Sequence, residues 1–146
     1  MTEVDLAART TTGDPEGDVV EEHEPPSPDE LEALLVPLRG FVELRVPAAS
    51  AVKIGGERAY KLHRRGVEVE MPLRRSHVAE LTLLGYEDGV ATLDLTVGSG
   101  TYVRSIAEAL GGHCVTLRRT EIGPFSVDEA DEELLLPVDE ALARLA

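Results

Sequence analysis

The residues of this chain best placed to do chemistry fall in Gly100-Thr101-Tyr102-Val103-Arg104-Ser105. They follow a strand-like run, Val90 to Val97, and open a helix-like run, Ile106 to Leu110, that stops at Gly111-Gly112. Thr101 is the expected N-cap and the paired glycines the expected C-cap. Tyr102 and Arg104 then sit in the first turn, beside a helix N-terminus whose free N–H groups and dipole favour an anion. A fixed guanidinium beside a phenol suits a charged or planar ligand such as a nucleotide. Taken alone, the spacing is more simply read as a capped helix with a solvated arginine. The hexapeptide does not stand alone.

The elements that must position it follow from punctuation. Val19 to Glu24 leads into Pro25-Pro26-Ser27-Pro28, a rigid, non-helical linker. Residues 21–28 form one acidic, proline-rich connection. Ser27-Pro28-Asp29-Glu30 predicts a helix start, with Ser27 as N-cap, Pro28 at the first helical position and Glu30 closing a capping box. Leu31, Leu34, Leu35 and Leu38 make one apolar stripe at i, i+3, i+4, i+7, and Arg39-Gly40 ends the helix. Gly55-Gly56 predicts a tight turn between Val52-Lys53-Ile54 and Glu57-Arg58. Ala59 to Arg65 reads as a short helix stopped by Gly66. Val67 to Met71, His77 to Gly85, Val90 to Val97, His113 to Arg119 and Ile122 to Val127 read as strands. Tyr86-Glu87-Asp88-Gly89 is a hairpin signal. Pro137 to Leu145 predicts a closing helix with Leu142 and Leu145 on one side. Strands joined by hairpins, with helices interspersed, predict an α+β fold: a largely antiparallel mixed sheet with flanking helices, in a single domain over residues 1–146.

Composition excludes several classes. No apolar run approaches the roughly 20 residues that span a bilayer, and Met1-Thr2-Glu3-Val4-Asp5 is acidic where a signal peptide is basic. A lone cysteine, Cys114, rules out an internal disulfide. Its neighbour His113 has no ligand spacing to His23, His63 or His77, so no metal site is expected. No Gly-rich phosphate loop or nucleophile elbow is present. The net charge of −14 argues against a polyanion surface, but its distribution softens the objection. Residues 1–40 carry 11 acidic and 2 basic side chains, and residues 121–146 carry 8 acidic and 1 basic, with 128–146 a distinctly acidic end. Residues 41–120 instead carry 9 acidic and 11 basic. The bases cluster at Lys53, Arg58, Lys61, Arg64 and Arg65, then Arg74-Arg75 and Arg118-Arg119. An ordinary mixed surface between acidic ends and a basic, polyanion-facing centre with solubilising ends both fit.

Four segments, in order, resemble the TruB/dyskerin family of tRNA pseudouridine synthases. Thr12-Gly13-Asp14-Pro15-Glu16-Gly17-Asp18-Val19-Val20 is similar to the family's T-x-D-x-x-G-x-x-V. Val46 to Tyr60, read as VPAASAVKIGGERAY, is similar to P-P-x-Y-S-A-x-K-x-x-G-x-x-x-Y. The hexapeptide Gly100 to Ser105 is the third segment. Leu117-Arg118-Arg119-Thr120-Glu121-Ile122-Gly123-Pro124-Phe125 is similar to L-R-R-T-x-x-G-x-F. The resemblance covers about Thr11 to Ala130.

Two departures matter. The family's nucleophilic aspartate lies in a G-x-L-D-P-x-A-x-G-x-L segment that this sequence does not contain. Asp14-Pro15 is not its substitute: Gly17 lies three residues past Asp14, where the catalytic segment has its glycine five past the aspartate. The chain is therefore expected to correspond to the back half of a synthase, part of the catalytic-domain fold without the catalytic loop. Ala49 stands where the signature has a tyrosine, so an aromatic contact from that position is lost.

The resemblance implies isomerisation of a T-loop uridine in tRNA to pseudouridine, with no cofactor; the cysteine usage makes a reducing, cytoplasmic setting the default expectation. The target base is flipped into a pocket. Tyr102 would stack on it, Arg104 would pair with the nucleophilic aspartate and keep it ionised, and Leu117 would pack against the base or the pocket. Lys53, Arg58, Tyr60, Lys61, Arg64 and Arg65 would face the RNA. Tyr102 and Leu117 read as plain core, and Lys53 as a solvated face, are the alternatives. Without the aspartate, Arg104 lacks its partner, and a buried unpaired guanidinium is costly. It is thus expected to be solvated, loosened or satisfied by another carboxylate. Three readings follow: a synthase whose first half lies outside this sequence, a non-catalytic RNA-binding remnant, or a half-protein completed by a partner chain or by self-association.

Overall fold

A computed structural model describes all 146 residues. Its centre is a five-stranded sheet built from β1 (Thr2–Asp5), β4 (Gly40–Arg45), β7 (Leu73–Glu87), β8 (Val90–Val97) and β9 (His113–Leu117), in the order β4-β7-β8-β1-β9. Every pairing in it is antiparallel. Three two-stranded ribbons surround it: β2 (Ala8–Thr10) with β3 (Val19–Glu22), β5 (Lys53–Ile54) with β6 (Glu57–Arg58), and β10 (Glu121–Ile122) with β11 (Phe125–Ser126). The helices are α1 (Pro28–Leu35), α2 (Ala59–Arg64), α3 (Val103–Ala109) and α4 (Val138–Leu145).

The sheet buries one set of alternating side chains. Val4, Leu44, Val78, Ala91 and Leu93 pack with Leu31 and Leu35 of α1 and with Ile106, Ala107 and Leu110 at α3. Glu43, Thr82 and Asp94 are exposed. A smaller cluster of Val46, Ala59 and Met71, joined by Val52, Ile54 and Tyr102, ties α2 and the β5–β6 ribbon to the sheet edge. The β7–β8 turn places Asp88 and Gly89 at φ 51° and 79°, the left-handed pair that a two-residue hairpin requires.

The α1 start forms as its residues dictate. Ser27 Oγ accepts from the Glu30 N–H, and the Glu30 carboxylate accepts from the Ser27 N–H at 2.8 Å. The α-helix stops at Leu35, however, and Val36–Leu38 tighten into a 3-10 turn at Pro37, leaving Leu34 exposed.

Other expectations are corrected. Val67–Met71 is not a strand: its alternating valines find no partner backbone, and Val69 and Met71 pack on the smaller cluster. Ile122–Val127 is broken at Gly123-Pro124 into β10 and β11, followed by a 3-10 turn at Val127–Glu129. β1 and β4, absent from the sequence reading, are an inner and an edge strand of the sheet.

Candidate functional site

α3 carries the hexapeptide's functional side chains. Its N-cap is Tyr102, not Thr101, and no side chain caps it. Tyr102, in extended backbone at φ −92°, already makes the bend into the helix. The C-terminus ends as predicted, with Gly111 at φ 88° and the Gly112 N–H donating to the Ala107 carbonyl at 2.9 Å. Ser105 Oγ donates to the Arg45 carbonyl at 2.6 Å, which pins the helix to β4.

Arg104 is neither loose nor solvated. Its Nη1 donates to Asp14 Oδ2 at 3.1 Å and to the Thr12 carbonyl at 2.9 Å, and its Nη2 donates to the Ala49 carbonyl at 3.0 Å. The two side chains are 23% and 26% exposed. Of the three outcomes expected for Arg104, satisfaction by another carboxylate is the one found. That carboxylate is Asp14.

The loop between β2 and β3 is built to hold Asp14. Asp14 Oδ1 accepts from Thr12 Oγ1 at 2.6 Å and from the Glu16 N–H at 3.1 Å, while Thr10 Oγ1 donates to the Asp14 carbonyl at 2.7 Å. A Cβ on Gly17 would strike Thr12. Gly13, at φ 72°, lets the loop backbone press on α3: a Cβ there would lie 2.9 Å from Glu108 Oε1. Burial holds the Glu108 carboxyl above the ordinary glutamate pKa, against the opposing pull of Arg9, Arg104 and Arg45.

These segments open onto a pocket of about 420 Å³ whose lining includes Asp14, Glu16, Ala49, Tyr60, His63 and Arg104. The remaining two lining residues are Thr12 and Arg64. Arg64 lies over the Tyr60 ring, 5.5 Å from its centroid.

The structure therefore brings Arg104, Tyr60 and Arg64 together and sets the other candidate residues around or away from them. Tyr102 packs on the smaller cluster, with the Arg74 guanidinium 5.9 Å from its ring centroid, and does not line this pocket. Leu117 is exposed at the end of β9, opposite Thr2. Lys53 and Lys61 are exposed. Arg58 donates to the Ala51 carbonyl at 2.6 Å, and Arg65 pairs with Glu57 at 2.7 Å. The sequence reading missed Asp14 as the partner of Arg104, and missed Glu16, His63 and Glu108. Ser50, next to Ala49, keeps a buried hydroxyl without a hydrogen-bond partner.

The site is thus an antiparallel sheet presenting an Asp-held arginine beside a basic helix. Residues 1–103 match the family described as TruB family pseudouridylate synthase, N-terminal domain. The chain belongs to that family. It is 38% identical over 147 residues to tRNA pseudouridine synthase B of Sinorhizobium medicae, covering 93% of this chain and 47% of the relative. To the protein of the same name from Dinoroseobacter shibae it is 44% identical over 135 residues, covering 87% and 44%. The chain thus spans a little under half the length of these curated relatives. One chain of the crystal structure of a Cbf5–Nop10–Gar1 complex superposes with a TM-score of 0.59 at 25% identity, over 88% of this chain and 31% of that one. No helix is long and apolar enough to cross a membrane.

Proposed function

We propose that this chain supplies the arginine-bearing part of a tRNA pseudouridine synthase, which isomerises a T-loop uridine to pseudouridine in the cytoplasm without a cofactor. The observation that carries this reading is Arg104, held by three acceptors at the wall of a nucleotide-sized pocket in a chain of the TruB family. A guanidinium so fixed can present its remaining N–H edge to a second carboxylate and hold it ionised. Under the family resemblance, that second carboxylate is the nucleophile of the G-x-L-D-P segment. Asp14 has both oxygens committed and serves as the positioning partner of Arg104. Tyr102 and Leu117, which do not line this pocket, are assigned to the base and its apolar wall on the resemblance alone. Lys53, Arg58, Lys61, Arg64 and Arg65 provide phosphate contacts.

The experiment is pseudouridine mapping on unmodified tRNA, with this chain alone and together with the amino-terminal part of a close relative carrying the aspartate segment. The chain alone should bind without turnover, because removing a covalent nucleophile removes the route itself. The mixture should form pseudouridine, and Arg104→Lys should abolish most of it, since an ammonium cannot reproduce the planar fork. Alanine at Arg58, Arg64 or Arg65 should weaken binding and flatten its salt dependence while leaving turnover of bound RNA nearly intact. No specific retention of tRNA by the wild-type chain would refute the reading. Retention without turnover in any reconstitution favours the second reading, an RNA-binding module that does not modify its ligand.

A further inference from the structure

The pocket holds one ring that the protein itself does not use. Asp14 is committed to Arg104, the Thr12 hydroxyl and the Glu16 N–H, and the free edge of Arg104 is assigned above to a second carboxylate. The Tyr60 ring is covered on one face by Arg64. His63, one helical turn after Tyr60 on α2, is half-buried, and its imidazole has neither a hydrogen bond nor an aromatic partner. The wall also includes Ala49, whose side chain is a single methyl. The formal charges lining the pocket cancel, with Asp14 and Glu16 against Arg64 and Arg104. A phosphate dianion gains little from a neutral site with carboxylates in its wall. A neutral planar heterocycle with both donors and acceptors loses nothing there. At about 420 Å³ the space falls within the roughly 300–1,000 Å³ of small-molecule sites.

We propose that His63 is the base-contacting residue of this pocket, its imidazole face stacking on a pyrimidine base. This rests on the proposed function, in that the base is taken to belong to a bound RNA. It adds a contact made by stacking, distinct from the phosphate contacts of the neighbouring arginines.

The test uses the whole chain, with uridine 5′-monophosphate and ribose 5-phosphate as paired probes, followed by amide and imidazole NMR shifts on titration. The wild type should bind the nucleotide more tightly than the sugar phosphate, with the His63 imidazole protons shifting in the nucleotide titration only. His63→Ala should weaken nucleotide binding about five- to 150-fold, the range for losing one base–aromatic stack, and leave ribose 5-phosphate binding unchanged. His63→Phe should retain nucleotide binding. Unchanged nucleotide affinity in His63→Ala would overturn the proposal. Equal losses for both probes would too, since they mark a phosphate contact. A His63→Phe variant as weak as alanine, with the thermal transition intact, would mark a ring-nitrogen hydrogen bond and overturn the stack. A wild type that retains tRNA but shows no His63-dependent nucleotide binding sinks this proposal alone. One that binds neither probe nor tRNA sinks the proposed function with it.

Discussion

Arg104 is the residue on which the site's geometry depends, and its worth can be estimated. Its guanidinium makes one bond to a carboxylate and two to carbonyls, at 2.9–3.1 Å, from a side chain 23% exposed. Hydrogen bonds to charged groups contribute about 1.5–3 kcal/mol each. They are not additive here, because water can reach both carbonyls through the pocket once the side chain is gone. Truncation to alanine should therefore cost about 2–4 kcal/mol, well above the roughly 0–1 kcal/mol of a surface ion pair. At about 3 °C per kcal/mol for a chain of this size, Tm should fall by about 6–12 °C. Arg104→Lys keeps the charge but reaches only part of the acceptor set, so about half of that loss is expected. Asp14→Asn keeps the oxygen that accepts from Thr12 and Glu16 and removes the charge facing Arg104. The double-mutant cycle of Arg104→Ala with Asp14→Asn should yield a coupling of about 1–2 kcal/mol. The assay is urea unfolding of all four proteins, followed by two probes to establish a single transition. A coupling under about 0.5 kcal/mol, with Arg104→Ala costing less than 1, would mean that the pair is a surface ornament and that the β2–β3 loop is held by other contacts.

Two further predictions concern the frame around the site. Gly112→Ala should prevent stable folding, because the added Cβ would overlap the Asp5 carbonyl oxygen and crowd Leu6; a soluble variant with a wild-type Tm would contradict this close approach of the α3 C-terminus to β1. His23 has its Nε2 2.8 Å from the Gly111 carbonyl and its Nδ1 3.2 Å from that of Glu24. These contacts, the Gly111 one foremost, raise its pKa above the ordinary 6.5. A raised folded-state pKa gives a contribution fully present below the unfolded value and lost as pH rises through the folded value. The stability difference between wild type and His23→Ala should therefore be largest at about pH 6 and shrink above it, as read by Tm across a pH series; a difference that grows with pH would reverse the assignment.

What was legible in the sequence was what local chemistry decides. The α1 start follows from Ser27, Pro28 and Glu30, the β7–β8 turn from Asp88-Gly89, and the end of α3 from Gly111, each a backbone demand met by neighbouring residues. What was not legible depends on distant partners. Thr2–Asp5 is only four residues long, and becomes an inner strand because β8 and β9 pair with it on either side. Val67–Met71 carries the alternation of a strand, yet it pairs with no strand, and the pattern is spent on packing Val69 and Met71. Asp14 was legible as a residue of the T-x-D-x-x-G segment but not as the partner of Arg104, since 90 residues separate the two.

That separation explains why the site needs a whole sheet behind it. Arg104 is fixed by contacts to the β2–β3 loop and to the 47–50 segment, while Ser105 fixes the same helix to β4. The β2–β3 loop is anchored in turn to β9 through the Cys114 N–H, which donates to the Gly13 carbonyl at 2.9 Å. Opposite edges of the sheet, β4 and β9, thus hold the two sides of one ion pair. A guanidinium left half-buried without its carboxylate would cost several kcal/mol, so folding the sheet and forming the pair are mutually dependent. The acidic ends of the chain do not disturb this arrangement, because Asp14 is the carboxylate that the loop's own threonines and glycines deliver to Arg104, and Glu16 beside it remains exposed. One of the acidic side chains that make the composition look unsuited to RNA therefore serves, at this one position, to hold a largely buried cation in place.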